Sequence, residues 1–145
     1  MGGGKPANTV ITLTVDTDKL VSDPENVNKY VVFTDNQSDP AENPGHPETY
    51  VSTVNKGATC EWQGVAKNGR DVINIDTITK KSTNGKDLLN TPIPPGLQGP
   101  KGGGKKITAR VRANYLDGDE PYTVAFNIGE NPFVYFVDPR IKMNT

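Results

Sequence analysis

The stretch Ile107-Thr108-Ala109-Arg110-Val111-Arg112-Ala113-Asn114-Tyr115, followed after a short acidic turn by Tyr122-Thr123-Val124-Ala125-Phe126-Asn127-Ile128, decides the fold. In the first segment Ile107, Ala109, Val111, Ala113 and Tyr115 fall on one face, and Thr108, Arg110, Arg112 and Asn114 on the other. In the second, Tyr122, Val124, Phe126 and Ile128 share a face. A period of two belongs to a half-buried strand, not to a helix. Between them Asp117-Gly118-Asp119-Glu120-Pro121 carries tight-turn residues, so the pair is expected to form an antiparallel hairpin.

Working outward, the same period recurs. Ile11, Leu13 and Val15 alternate with Thr12 and Thr14. Tyr30-Val31-Val32-Phe33 is apolar on both faces and suggests a central strand. Tyr50, Ser52 and Val54 form a further strand, and Thr59-Cys60-Glu61-Trp62-Gln63 another, closed by Gly64. In Val72-Ile73-Asn74-Ile75-Asp76-Thr77-Ile78 the last isoleucine is out of phase with Ile73 and Ile75, and a bulge would restore its face. Phe133 to Val137 forms a last strand, stopped by Asp138-Pro139 and prolonged by Arg140-Ile141-Lys142-Met143. The last three strands read as an antiparallel meander.

Composition points the same way. The chain has 14 Val, 8 Ile and 15 Thr against 6 Leu, 7 Ala and 2 Met, and side chains branched at Cβ fit a pleated sheet better than a helix. The 15 Gly and 12 Pro punctuate the apolar runs. The fold class expected is all-β: a single antiparallel β-sandwich of about eight strands with long Pro/Gly-rich loops. Two polar stretches, Ser22 to Asn28 and Gln37 to Pro47, and the Pro/Gly-rich segment Lys81 to Gly104 read as loops, the last as a surface crossover. Residues 1–8, opening Met1-Gly2-Gly3-Gly4-Lys5-Pro6, have too few apolar side chains to anchor themselves and read as a flexible arm on a domain spanning 9–145.

The 145 residues carry 16 Lys+Arg and 17 Asp+Glu, for a net charge of −1. That balance argues against a nucleic-acid partner. No apolar run reaches the roughly 18 residues of a membrane span. The start lacks the apolar centre of a secretory signal, and the lone Cys60 cannot form an internal disulfide, so a cytoplasmic location is expected.

The patterns that carry chemistry are weak. Gly99-Pro100-Lys101-Gly102-Gly103-Gly104-Lys105 satisfies G-x-x-x-x-G-K, but Lys106 stands where Ser or Thr should hold magnesium, and the segment leads into a strand where a phosphate loop needs a helix. Asp16 and Asp18 after the first strand, and Asp117 and Asp119 in the turn, are candidate calcium ligands. Asp-Gly is also ordinary turn chemistry, and the spacing does not match a helix-loop-helix calcium site. His46 is the only histidine and lies in a Pro-rich loop, while Cys60 beside Trp62 reads as a small buried hydrophobe, so a catalytic dyad has little support. One His and one Cys are too few for a zinc site. No enzyme and no cofactor are expected.

The blocks Ile11-Thr12-Leu13-Thr14-Val15-Asp16-Thr17-Asp18 and Gly57-Ala58-Thr59-Cys60-Glu61-Trp62-Gln63-Gly64 resemble the AidA/PixA inclusion-body proteins and their small β-sandwich relatives. So do Tyr122-Thr123-Val124-Ala125-Phe126 and Phe136-Val137-Asp138-Pro139-Arg140-Ile141 near the end. The resemblance implies an abundant bacterial cytoplasmic protein that can deposit as inclusions, with no enzymatic activity. It implies no functional residues.

The last strand carries the functional expectation. Val134 and Phe136 lie opposite Phe133, Tyr135 and Val137, making it apolar on both faces, so something must cover it. Val134, Phe136 and Ile141 are the candidate contacts of a structural or protein-interaction role, with a second copy of the chain or another protein as partner. The alternative is a ligand-binding module, calcium-dependent or carbohydrate-binding, built on strand-end loops.

Overall fold

The computed structural model describes residues 8–37, 50–80, 89, 106–114 and 119–143. Among them the elements follow as β1 (Thr9–Val15), α1 (Thr17–Leu20), a 3-10 segment (Pro24–Tyr30), β2 (Val31–Asp35), β3 (Val51–Val54), β4 (Thr59–Ala66), β5 (Ile73–Lys80), β6 (Ile107–Arg110), β7 (Asp119–Ile128), β8 (Tyr135–Val137) and β9 (Arg140–Met143). The fold is all-β, as the period-two pattern requires. The 3-10 segment falls in the stretch read as loop, started by Pro24 in its first turn. No helix among the described residues is long and apolar enough to cross a membrane.

The strands form two sheets, one in the order β2-β1-β4-β6 and the other β3-β9-β7-β5, with β8 also paired to β7. β1 is antiparallel to β2 but parallel to β4, and β3 is parallel to β9. Both sheets are therefore mixed, with nine strands among the described residues, which corrects the all-antiparallel, eight-stranded expectation. Alternation reports which face of a strand is buried and carries nothing about the direction of its neighbour. Parallel neighbours need long connections, and this chain has length to spare between β1 and β4 and between β3 and β9.

Three further expectations change for related reasons. β6 pairs with β4 and β7 with β5, so the predicted hairpin across Asp117–Pro121 does not form and its two strands enter different sheets. Val111 makes an isolated bridge to Leu89, the one described residue of the 81–104 segment, and that bridge prolongs the edge of β6. β2 is an edge strand, not a central one, and its outward Val32 is only half-buried. β4 does not close at Gly64 but runs on to Ala66. The expected bulge is present: the β5–β7 register shifts between Ile75 and Thr77, and Ile73, Ile75 and Ile78 all end in the core.

One core takes side chains from both sheets, with Ile11, Leu13, Phe33 and Trp62 from the first and Ile75, Tyr122, Phe126 and Ile141 from the second. Polar ties join the sheets at several places. Trp62 Nε1 donates to the Tyr122 hydroxyl at 2.9 Å inside the core, and the Thr9 hydroxyl donates to the Thr53 carbonyl at 2.9 Å. Where β4 passes β5, a Cβ built on Gly64 would lie 2.3 Å from Ile73 Cγ2, so only glycine allows the two strands so close.

Gly64→Ala should therefore cost about 1–3 kcal/mol, the usual penalty for forcing extra atoms into a packed core. Gly57, at φ +76° with open space around it, is a useful contrast, since alanine there meets backbone strain and no clash. If Gly64→Ala;Ile73→Val recovers much of the loss in urea denaturation while Gly57→Ala;Ile73→Val recovers none, steric crowding at this crossing is confirmed.

Candidate functional site

The candidate contact strand lies beside the middle of the second sheet. β8 pairs with β7 in the register Val124–Val137, Ala125–Phe136 and Phe126–Tyr135, and it lies against the 3-10 segment. Alternation sends Tyr135 and Val137 into the core and Phe136 out, over buried Ala125 of the neighbouring strand. Phe136 is 59% exposed and Val134 half-buried. Ile141, grouped with them from the sequence, is only 1% exposed, which corrects its assignment as a contact. β9 turns Ile141 and Met143 inward and Arg140 and Lys142 outward.

Phe133 was missed. Its phase with Tyr135 assigned it to the core, yet it is 53% exposed. It precedes β8, so the alternation of the strand does not govern it; its backbone N–H instead donates to Asn131 Oδ1 at 3.0 Å. Its ring lies 4.8 Å from that of Tyr135, which in turn stacks on Phe126 at 5.3 Å. The result is an aromatic ladder running from the core to solvent. Phe133 and Phe136 are the large exposed aromatics among the described residues.

The acidic candidates do not converge. Asp16 caps α1 by accepting from the Lys19 N–H and lies 3.8 Å from the Lys67 ammonium. Asp18 accepts from Asn68 Nδ2 at 3.4 Å. Asn68 also donates to Asp71, whose carboxyl is held below its ordinary value by hydrogen bonds from Thr17 and then from Asn68. Asp117 lies outside the described residues. Asp119 opens β7 opposite Lys142, which neighbours Thr53, and Thr53 is tied to Thr9 at the start of β1. Asp16 follows the far end of that strand, so the backbone places positions 16 and 119 at opposite ends of the fold. Among the described residues no group of three or more His, Cys, Asp or Glu side chains is placed to hold a metal.

His46 and the Gly99–Lys105 stretch also lie outside the described residues. Lys106 lies 3.9 Å from Glu61. Cys60 is fully buried, and burial pushes its thiol well above the usual range, which makes it a poor nucleophile.

A polar cluster at the ends of β2 and β3 was not legible from spacing. Asp35 accepts from the Tyr50 hydroxyl in a short hydrogen bond, from the Ser52 hydroxyl at 2.9 Å and from the Gln37 N–H at 2.7 Å. Tyr50 also stacks on Phe33 at 5.2 Å. Burial, with the adjacent Asp35 charge, pushes the Tyr50 phenol strongly upward, and burial does the same to Tyr122. These groups fasten one sheet to the other.

The sequence matches no protein-family model and no curated protein. The fold is similar to that of the crystal structure of the inclusion body protein PixA from Burkholderia cenocepacia, with a TM-score of 0.68 over 99% of this chain and 100% of that one, at 13% identity. The resemblance read from the strand blocks is therefore met at the level of the fold.

Alkaline pH tests the buried hydroxyls and thiol. Cys60, Tyr50 and Tyr122 all hold their protons more tightly folded than unfolded, so their contribution to stability is complete below the ordinary thiol and phenol values of 9.0 and 10.0. It is lost as pH rises beyond them toward the raised values, at up to about 1.4 kcal/mol per pH unit for each group. Urea midpoints measured from pH 8 to 11 should fall steeply above the phenol value, and Tyr50→Phe should flatten that fall while lowering stability at neutral pH.

Proposed function

We propose that this chain is a non-catalytic β-sandwich protein of the cytoplasm whose role is structural, exercised by association with further copies of itself. The observation that carries the reading is Phe136, more than half exposed on a strand whose other residues enter the core. A phenylalanine held rigidly by backbone pairing loses little entropy on being covered, and covering it removes apolar surface worth about 25 cal/mol per Å². Phe133 adds a second ring three positions earlier, braced against Tyr135. The inclusion body protein that shares the fold is named for a protein deposit, which supports the same direction.

The arm over residues 1–8 belongs to this proposal as the segment of one copy that reaches the next. Residues 1–7 lie outside the described residues; Asn8 is fastened to the body, its side-chain oxygen accepting from the Thr59 N–H at 3.0 Å and its carbonyl from Asn36 and Gln37. The reach of the arm therefore begins before Asn8. Among the described residues the edges are β2 and β6 in one sheet and β3 and β5 in the other; β2, β6 and β3 are short, five, four and four residues, which limits strand addition there, while β5 runs to eight.

Light scattering coupled to size exclusion tests the reading. The parent chain should run as an oligomer, and Phe136→Lys as a monomer that still unfolds cooperatively, within about 0.5 kcal/mol of the parent as befits an exposed position. A parent that stays monomeric at its highest soluble concentration overturns self-association.

A further inference from the structure

A cleft of about 420 Å³ opens where β1 ends, on the face of its sheet turned away from the core. That volume falls in the range of about 300–1,000 Å³ usual for small-molecule sites. Its floor is the cross-strand pair Thr14 and Val32, and Val65, 45% exposed, sits beside Thr14 on the other flank. The Tyr30 side chain forms part of the wall; its hydroxyl donates to Asp23 at 2.7 Å, so what it lends the cleft is its ring. The rim carries three ammonium groups, Lys19, Lys29 and Lys67, against the single carboxylate of Asp16.

The charge count is specific to this place. The chain as a whole is slightly acidic, at −1. Asp16 stands 3.8 Å from Lys67 and offsets it, which leaves Lys19 and Lys29 in excess. Lys29 lies near Asp23, which stays ionised, held by the Tyr30 hydroxyl and by Asn26 Nδ2 at 2.9 and 3.0 Å, and offsets it in part, so the local excess is closer to one cation. A net excess of positive charge, on three lysines that can converge over an apolar and aromatic floor, matches an anionic head on a flat or aliphatic body. Concave sites with an excess of one sign also concentrate the opposite ion from solution.

We infer that this cleft binds a small organic phosphate monoester, with the phosphate among Lys19, Lys29 and Lys67 and the organic group on Val32, Thr14 and the Tyr30 ring. A phosphate monoester is largely dianionic at neutral pH, and lysine serves phosphate as a mobile point charge. The inference does not rest on self-association: the cleft is lined by the outer face of the first sheet and by the 3-10 segment, and Phe136 stands on β8 of the second sheet.

Calorimetric titration of the full chain with phenyl phosphate, inorganic phosphate and phenol tests it. Phenyl phosphate should bind saturably with one site per chain, and several-fold more tightly than inorganic phosphate or phenol. Lys29→Gln with Lys67→Gln should weaken it by about tenfold, two exposed charge contacts at roughly 0.5–1 kcal/mol each. Val32→Ser, which adds no charge, should weaken phenyl phosphate more than inorganic phosphate. Absence of saturable binding overturns the site. Unchanged affinity in the double lysine variant, with its melting temperature intact, places binding elsewhere and overturns it too. Inorganic phosphate binding as tightly as phenyl phosphate overturns the organic half of the inference.

Discussion

The Trp62 indole and the Tyr122 hydroxyl meet at 2.9 Å in the middle of the core, with their rings edge to face at 5.6 Å, and the packing of both sheets depends on that meeting. These are among the largest fully buried side chains of the protein. Each carries a polar atom that would cost about 1–3 kcal/mol if buried alone. Trp62 stands on β4 in one sheet and Tyr122 on β7 in the other, so a single bond satisfies both atoms only at one separation and one offset of the sheets. No buried side-chain nitrogen or oxygen among the described residues lacks a partner. A chain only 33% hydrophobic can therefore still fill its interior with rings.

Around that centre the sheets are held at their margins by different means. Along the β2–β3 margin the tie is polar and aromatic: Asp35 gathers Tyr50 and Ser52, and Phe33 stacks on Tyr50. Along the β4–β5 margin it is steric, through the missing side chain of Gly64 against Ile73. Polar geometry fixes direction, and close packing fixes distance. Together they leave β8, hung on β7 outside the main strand path, as the place where an aromatic side chain reaches water.

The burial pattern was largely legible in the sequence, although Ala113, expected on the inward face, is exposed, whereas the partners were not legible. Ile11, Leu13, Val15, Ile107, Ala109 and Val111 all lie inward as their alternation requires, and the out-of-phase Ile78 is rescued by a bulge. Strand direction and sheet membership escaped, because the distance along the chain between β1 and β4, or between β6 and β4, leaves no mark on local periodicity. Phe136 was found because it broke phase in a strand; Phe133 was hidden because it kept phase just outside one. The lysine-rimmed cleft had no signal at all, since Lys19, Lys29 and Lys67 come from three separate segments and only the ends of β1, β2 and β4 bring them together. Asp16 and Asp18, weak candidate ligands by sequence, make local contacts as a helix cap and an acceptor for Asn68.

The parallel pairing of β3 with β9 orders the fold in time as well as in space. A nascent chain leaves the ribosome N-terminus first, so the four-stranded sheet has all its members once β6 has emerged. β3 is synthesised before β4, β5 and β6, yet its partner β9 is the last described strand to appear. Through that interval Ser52 and Val54, both buried in the finished protein, have no sheet to join. The second sheet thus closes from its centre outward, β5 on β7 and then β9 between β7 and β3. The strand that waits longest is a four-residue edge, too short to template much intermolecular pairing meanwhile.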